Sequence, residues 1–306
     1  VTSPSIDIVA TGETLTAIPT AMPTVRIATA LPGMQRSERR AAEIIAADPE
    51  SVVELTAQEL ADRAGVARST VVRMCQSLGY RGYPQLRVAL AGELALAGEL
   101  AQRAEDADPG AGALGRIRAE IVALAQVLPQ IASVLSEPEV DSAVDSIVAA
   151  GRVLVVASGL SGPLAMDLAM RLTAAGRPAE TLADPIGQQI AARGLRAEDV
   201  CLVISGSGAN EASLRAAAQA NEAGARVIAV TSFRNTPLTR LAAITLLLAP
   251  AASFRQELEH TSRVPHVVFL EALVETIGTR LGVAGERARS RVLDVLAENL
   301  GDEAGR

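Results

Sequence analysis

The residues best suited to chemistry in this chain are small, neutral and clustered. The stretch Val203-Ile204-Ser205-Gly206-Ser207-Gly208-Ala209-Asn210-Glu211 closes an apolar run that reads as a strand and opens a segment that reads as a helix. Glycines let a backbone approach an anion closely, and the free N–H groups at a helix start can point at phosphate oxygens. The Ser205 and Ser207 hydroxyls add neutral donors. An earlier run, Val153–Ala157, leads into Ser158-Gly159-Leu160-Ser161-Gly162, a device of the same type. One such loop could be a Gly/Ser-rich turn without a ligand. Two of them, both after strands and both leading into helices, would converge on one crevice at the carboxyl ends of neighbouring parallel strands. A dinucleotide fold is disfavoured. The Gly-x-Gly-x-x-Gly fingerprint is missing from the first turn, and only Asp184 could serve a ribose.

A second constellation lies in Leu55–Gly79. Thr56 and Glu59 have the spacing of a capping box, which opens a helix with Leu60, Ala61 and Ala64 on its apolar face. Gly65 supplies a tight turn into a second helix at a steep angle. There Val71, Cys75 and Leu78 share the inner face, which leaves Arg68, Ser69, Thr70, Arg73 and Gln76 outside. Arg chelates guanine edges, Gln pairs with adenine, and Ser and Thr fix register on phosphates. Arg81 and Tyr83, in Tyr80-Arg81-Gly82-Tyr83-Pro84, are placed to brace this helix on a DNA backbone. An ordinary helical hairpin would share the helix–Gly–helix pattern. Charge gives little help, because residues 31–90 hold eight Arg against seven acidic residues. Binding would need a dimer or an uneven placement of the arginines, and would depend strongly on salt.

These motifs require two kinds of scaffold. The chain has 306 residues, 49% of them hydrophobic, enough for two domains. Residues 1–33 are rich in Thr, Pro and Ala without a sustained period and read as an unstructured extension. Residues 34–104 are patterned as helices. Residues 105–115, with one Pro and three Gly, read as a linker. Residues 116–306 form the second domain. Helices at 114–136 and 138–150 precede short apolar runs at 153–157, 179–183, 200–205, 226–231 and 243–248, mostly separated by helical stretches, and two closing helices cover 262–281 and 284–300. That alternation is the signature of βαβ units and a parallel sheet covered on both faces.

Composition excludes some functions. The net charge of −7 rules out a general nucleic-acid-binding surface, and all 28 basic residues are Arg, so lysine-dependent chemistry is absent. Cys75 and Cys201 stand in apolar surroundings without metal spacing and read as buried reduced thiols. No metal or cofactor is expected. Residues 1–33 lack the pattern of a signal peptide, and no uncharged apolar run reaches the ~18–20 residues that span a bilayer. A cytoplasmic protein with no membrane partner is therefore expected.

Ser37–Ile45 followed by Asp48-Pro49, together with Thr70–Tyr83, resembles the DNA-binding domain of RpiR-family transcriptional regulators over residues 34–92. Ala67 stands where that family usually has Ser, which should cost ~1 kcal/mol of helix capping. Ser161, and Ser205, Gly206, Ser207 and Asn210, resemble the phosphate loops of the SIS (sugar isomerase) domain, with Asn210 where Thr is usual. Val227–Thr231, and Ser262-Arg263 before a long apolar helix, extend the resemblance over residues 120–285. It implies an all-α helix-turn-helix domain followed by a three-layer α/β SIS domain with a five-stranded parallel sheet. It implies operator DNA and a phosphosugar effector as partners, and a homodimer or homotetramer. Glu257 lies at a spacing like that of the catalytic base in SIS aldose–ketose isomerases; the reading preferred here has it bind sugar hydroxyls, with His260 and His266 at the surface or an interface. An isomerase stands as the alternative, since isomerisation needs a base to carry a proton through an enediol.

Overall fold

The computed structural model describes residues 22–106, 112–249 and 263–299. The N-terminal unit holds helices α1 (Pro23–Ala30), α2 (Arg36–Ala47), α3 (Pro49–Val53), α4 (Ala57–Ala64), α5 (Arg68–Ser77) and α6 (Tyr83–Asp106), with a 3-10 turn at Leu31–Gly33. Local signals set most of the boundaries. Asp48 caps α3, its carboxylate accepting the Ser51 N–H, with Pro49 at the first helical position, where no amide donor is needed. The Thr56–Glu59 capping box forms in full and opens α4. Gly65, at φ +60°, closes α4 in the left-handed conformation and turns the chain into α5. The inward residues Ala42, Ile45, Val52, Leu60, Val71, Met74 and Leu86 merge in one buried core.

Two boundaries differ from the sequence expectation. Residues 22–33 are not an unstructured extension: α1 and its 3-10 turn pack on the domain, with Ile27 fully buried in its core. One buried isoleucine anchors α1, a signal too sparse to show as periodicity. Residues 1–21 lie outside the described residues. The linker is also shorter than 105–115, because α6 runs to Asp106 and α7 begins at Ala113; residues 107–111 lie outside the described residues.

The second unit begins with α7 (Ala113–Val127), a 3-10 stretch (Leu128–Val134) and α8 (Glu137–Ala149). Pro129 cannot donate to the helical ladder, and α7 stops just before it. The sheet follows: β1 (Val153–Ala157), α9 (Gly162–Ala174), β2 (Glu180–Thr181), α10 (Pro185–Arg193), β3 (Val200–Ile204), α11 (Glu211–Glu222), β4 (Arg226–Thr231), α12 (Pro237–Leu241) and β5 (Ile244–Leu247). Helices α13 (Val264–Arg280) and α14 (Val283–Asn299) close the chain. All strands are parallel, in the order β2-β1-β3-β4-β5. Both faces are covered, as a parallel sheet requires. Val153, Val155, Leu202 and Val230 pack under α8, α9 and α13. The alternate residues Leu154, Val156, Val203 and Ala229 pack against the opposite layer of α10, α11 and α12. Among the described residues no helix is long and apolar enough to cross a membrane.

Candidate functional site

The strand order decides where a ligand can sit. From β1 the chain moves outward to β2, then returns across to β3 on the other side of β1. Loops after β1 and β3 therefore diverge to opposite faces and leave a crevice at the carboxyl ends of those strands. Register pairs Ala157 with Ile204, so Ser158 and Ser205 leave neighbouring strands at the same level. The two serine loops expected to converge do open on the same switch point.

Within the crevice Ser161 and Ser205 are each only 4% exposed. Ser161 ends a 3-10 turn over Gly159–Ser161, and its N–H donates to the Ser158 carbonyl at 3.3 Å. Gly206 is buried, and its carbonyl accepts from the Ser232 N–H at 3.0 Å and the Thr231 hydroxyl at 3.1 Å. Gly208 has φ +62°, and a Cβ there would lie 2.3 Å from Thr236 Oγ1, so both conformation and space demand glycine. Ser207 is half-buried, its Oγ accepting the Ala209 N–H at 3.3 Å. Asn210 is partly engaged within the fold, since its Oδ1 accepts from Ser213 N at 3.1 Å and caps α11. Its side-chain amide nitrogen has no hydrogen-bond partner among the described residues and is left to meet a ligand. Glu257 and His260 lie outside the described residues.

The sequence reading missed Ser158 and Gln188. Gln188 is 2% exposed, and its Nε2 donates to the carbonyls of Ala157 at 2.8 Å and Leu182 at 2.7 Å. Those bonds tie α10 to the end of β1 and hold the crevice wall. Ser158 Oγ is buried there without a hydrogen-bond partner among the described residues. Ser158 opens the first serine loop and was visible in it, whereas nothing local in the sequence marks Gln188. His266 corrects an expectation. It is not a surface or interface residue but is buried at the start of α13, where burial and nearby Arg263 push its imidazole down to about 4. Cys75 and Cys201 are buried, and burial pushes both thiols up to about 12, as inert reduced thiols require.

On the N-terminal unit, α5 exposes Arg68, Ser69, Arg73 and Gln76 along one side, with Arg81 exposed just beyond it. Ala67 offers no side-chain cap, so the first amides of α5 lack a side-chain acceptor. Arg73 lies 3.8 Å from Glu38 and donates to Thr70 Oγ1 at 3.2 Å. The Arg73 side chain itself is 60% exposed, although Glu38 and Thr70 are largely covered. Two expected contact residues are not on this face. Thr70 is buried on the inner side of α5. Tyr83 is 3% exposed and donates its hydroxyl to the Val52 carbonyl at 2.8 Å, and burial pushes its phenol up to about 12. Tyr83 braces α3 against α6 from within. Val72, absent from the expected set, is half-exposed between the arginines and could meet a thymine methyl.

Comparison with known proteins agrees with both halves. Residues 24–97 match the model described as "Helix-turn-helix domain, rpiR family", and residues 146–274 match that of the SIS domain. The chain carries an rpiR-family helix-turn-helix domain followed by a SIS domain. The first match begins at residue 24 and so places α1 inside the helix-turn-helix domain, as the buried Ile27 does. The HTH-type transcriptional regulator HexR of Pseudomonas aeruginosa is 28% identical over 84% of this chain and 90% of its own length. HexR of Escherichia coli is 26% identical over 91% and 95%. Among solved structures, the Vibrio vulnificus NanR protein complexed with ManNAc-6P has a TM-score of 0.54 at 21% identity, covering 92% of this chain and all of that one. It shows that this chain shares the two-part fold of that protein.

Proposed function

We propose that this chain is a DNA-binding transcriptional regulator of carbohydrate metabolism whose SIS domain senses a phosphosugar. The observation that carries this reading is the pairing in one chain of an exposed Arg/Ser/Gln face on α5 with two uncharged serine loops, in which Ser161, Ser205 and Gly206 are buried, that leave neighbouring parallel strands at the same level. Neither serine loop contains a charged residue. A phosphate held there would be met by fixed dipoles and neutral donors. The ligand named in the NanR complex, ManNAc-6P, is a phosphosugar and supports this class of effector.

In this reading Arg68, Ser69, Arg73, Gln76 and Arg81 contact operator DNA, and two copies of the chain bring paired helices to two half-sites. Ser161, Ser205, Ser207, the Gly206 backbone and the Asn210 amide hold the effector, with Glu257 reaching its sugar hydroxyls. The effector acts only through a difference in affinity between two poses of the DNA-binding heads. The test is a thermal-shift screen of phosphosugars, followed by titration of each hit into a complex with a DNA duplex selected by the protein. A hit changes DNA affinity in the wild type and not in Ser205→Ala/Ser207→Ala. An unchanged response in that double variant refutes the effector assignment, and turnover of a hit would move the reading to the isomerase.

A further inference from the structure

The turn between β4 and α12 touches both halves of the molecule. On one side it is bonded to the effector loop. The Ser232 N–H and the Thr231 hydroxyl both reach the Gly206 carbonyl, Leu238 N donates to the Gly208 carbonyl at 3.0 Å, and Gly208 rests on the Thr236 side chain. On the other side it meets the end of α1. Arg234 N donates to the Thr29 carbonyl at 2.9 Å. Gly33 approaches so closely that a Cβ there would lie 2.3 Å from the Asn235 Cβ. Asn235 is the non-glycine residue with positive φ among the described residues, at 55°.

Helix α1 is anchored to the N-terminal helical unit. Ile27 is buried in that core, and the Thr24 N–H donates to Glu93 Oε2 on α6 at 3.1 Å. Arg26 Nη1 donates to the Leu78 carbonyl at 3.0 Å, where α5 ends, and its guanidinium lies 5.2 Å from the Tyr80 ring centre. Beside these contacts a cleft of about 410 Å³ separates the two units, lined by Arg26, Thr29, Gly79, Ser133, Ser136 and Arg234. A narrow seam of directed contacts next to open space allows a shift that a packed core would resist.

We propose that the 232–236 turn carries the effector signal to the recognition helix within one subunit. An anion drawing on the Ser205–Asn210 amides moves the Gly206 carbonyl against Ser232. That displaces Arg234 and Asn235 on Thr29 and Gly33, and α1 passes the shift to the end of α5. The signal thus crosses a direct contact instead of depending on the α6–α7 connection alone. This inference rests on the phosphosugar-sensing reading above.

The test uses the full chain, a DNA duplex it selects from random sequence, and ManNAc-6P, glucose 6-phosphate and fructose 6-phosphate as probes. Gly33→Val forces the seam apart. Asn235→Gly keeps the left-handed turn but removes the side chain that meets Gly33. In the wild type the active phosphosugar should change DNA affinity about tenfold or more. In Gly33→Val the change should shrink below about twofold, with an undiminished thermal shift from the same phosphosugar. Asn235→Gly should fall between, and decides alone if Gly33→Val melts early. Variants that keep the full response beside a responsive wild type overturn the role of the turn. A wild type that binds a phosphosugar without any change in DNA affinity overturns the sensing reading itself, and this inference with it.

Discussion

On α5 the donors proposed for phosphate are long cationic side chains held in water: Arg68, Arg73 and, just beyond, Arg81. In the crevice they are hydroxyls and amides fixed by the fold, with Ser161, Ser205 and Gly206 all buried. The first arrangement suits a polyanion whose phosphates repeat along a surface, since flexible cations release counterions and adjust to register. The second suits one small anion, because fixed dipoles in a partly desolvated cleft need no reorganisation to meet it. The difference teaches that the two halves should fail under different stresses. Salt should attack the DNA surface. Damage to the loop backbone or acid should attack the effector domain.

The largest effect should come from the crevice backbone. Gly208→Val places a Cβ against Thr236 at a left-handed φ. It should destabilise the effector domain by about 3 kcal/mol or more and abolish the phosphosugar thermal shift. A normal thermal shift in this variant would break the comparison, since a tolerant loop is not a fixed cradle.

Acid should come next. Burial holds His266 neutral, at about 4 against an ordinary value near 6.5. Between those values the unfolded chain binds a proton that the folded chain refuses. The stability contributed is therefore complete above pH 6.5 and is lost as pH falls toward 4, up to about 3 kcal/mol in all. Urea titrations at pH 7 and pH 5 should show a weaker chain at pH 5, and His266→Leu should flatten the difference.

On the DNA side, Arg68→Ala should cost about 1–3 kcal/mol of binding and leave the melting temperature unchanged. If Arg68 meets a phosphate, the slope of log affinity against log salt should fall by about one unit. An unchanged slope with altered base preference would sharpen its role to a guanine contact. The smallest effect belongs to Tyr83→Phe, which loses the hydroxyl bond to Val52 and should cost about 1 kcal/mol of stability. DNA affinity of the folded variant should not move. A loss of affinity would return Tyr83 to the interface.

Legibility in the sequence followed the range of the interactions. The expected strands at 153–157 and 226–231 match β1 and β4 residue for residue. Buried parallel strands are continuous apolar runs, and their boundaries are written in turn residues. The Thr56–Glu59 cap and the Gly65 turn were equally visible, because both are made within a few residues. The run expected at 179–183 is only Glu180–Thr181 as a strand. At a sheet edge, pairing with one neighbour sets the length, and propensity alone does not report it. Tyr83 was misplaced because an exposed and a buried tyrosine look alike until Val52, from a separate helix, offers its carbonyl.

The sequence alone determined the two classes of element, the Gly/Ser loops after β1 and β3 and, Thr70 excepted, the outward face of α5, since these depend on periodicity, capping and glycine placement over short spans. Only the tertiary structure decided that α1 belongs to the DNA-reading core, that Gln188 supports the crevice, and that the turn at Arg234–Asn235 presses on Thr29 and Gly33. Each of these joins residues far apart in the chain, where side-chain type leaves the partner open and packing selects it.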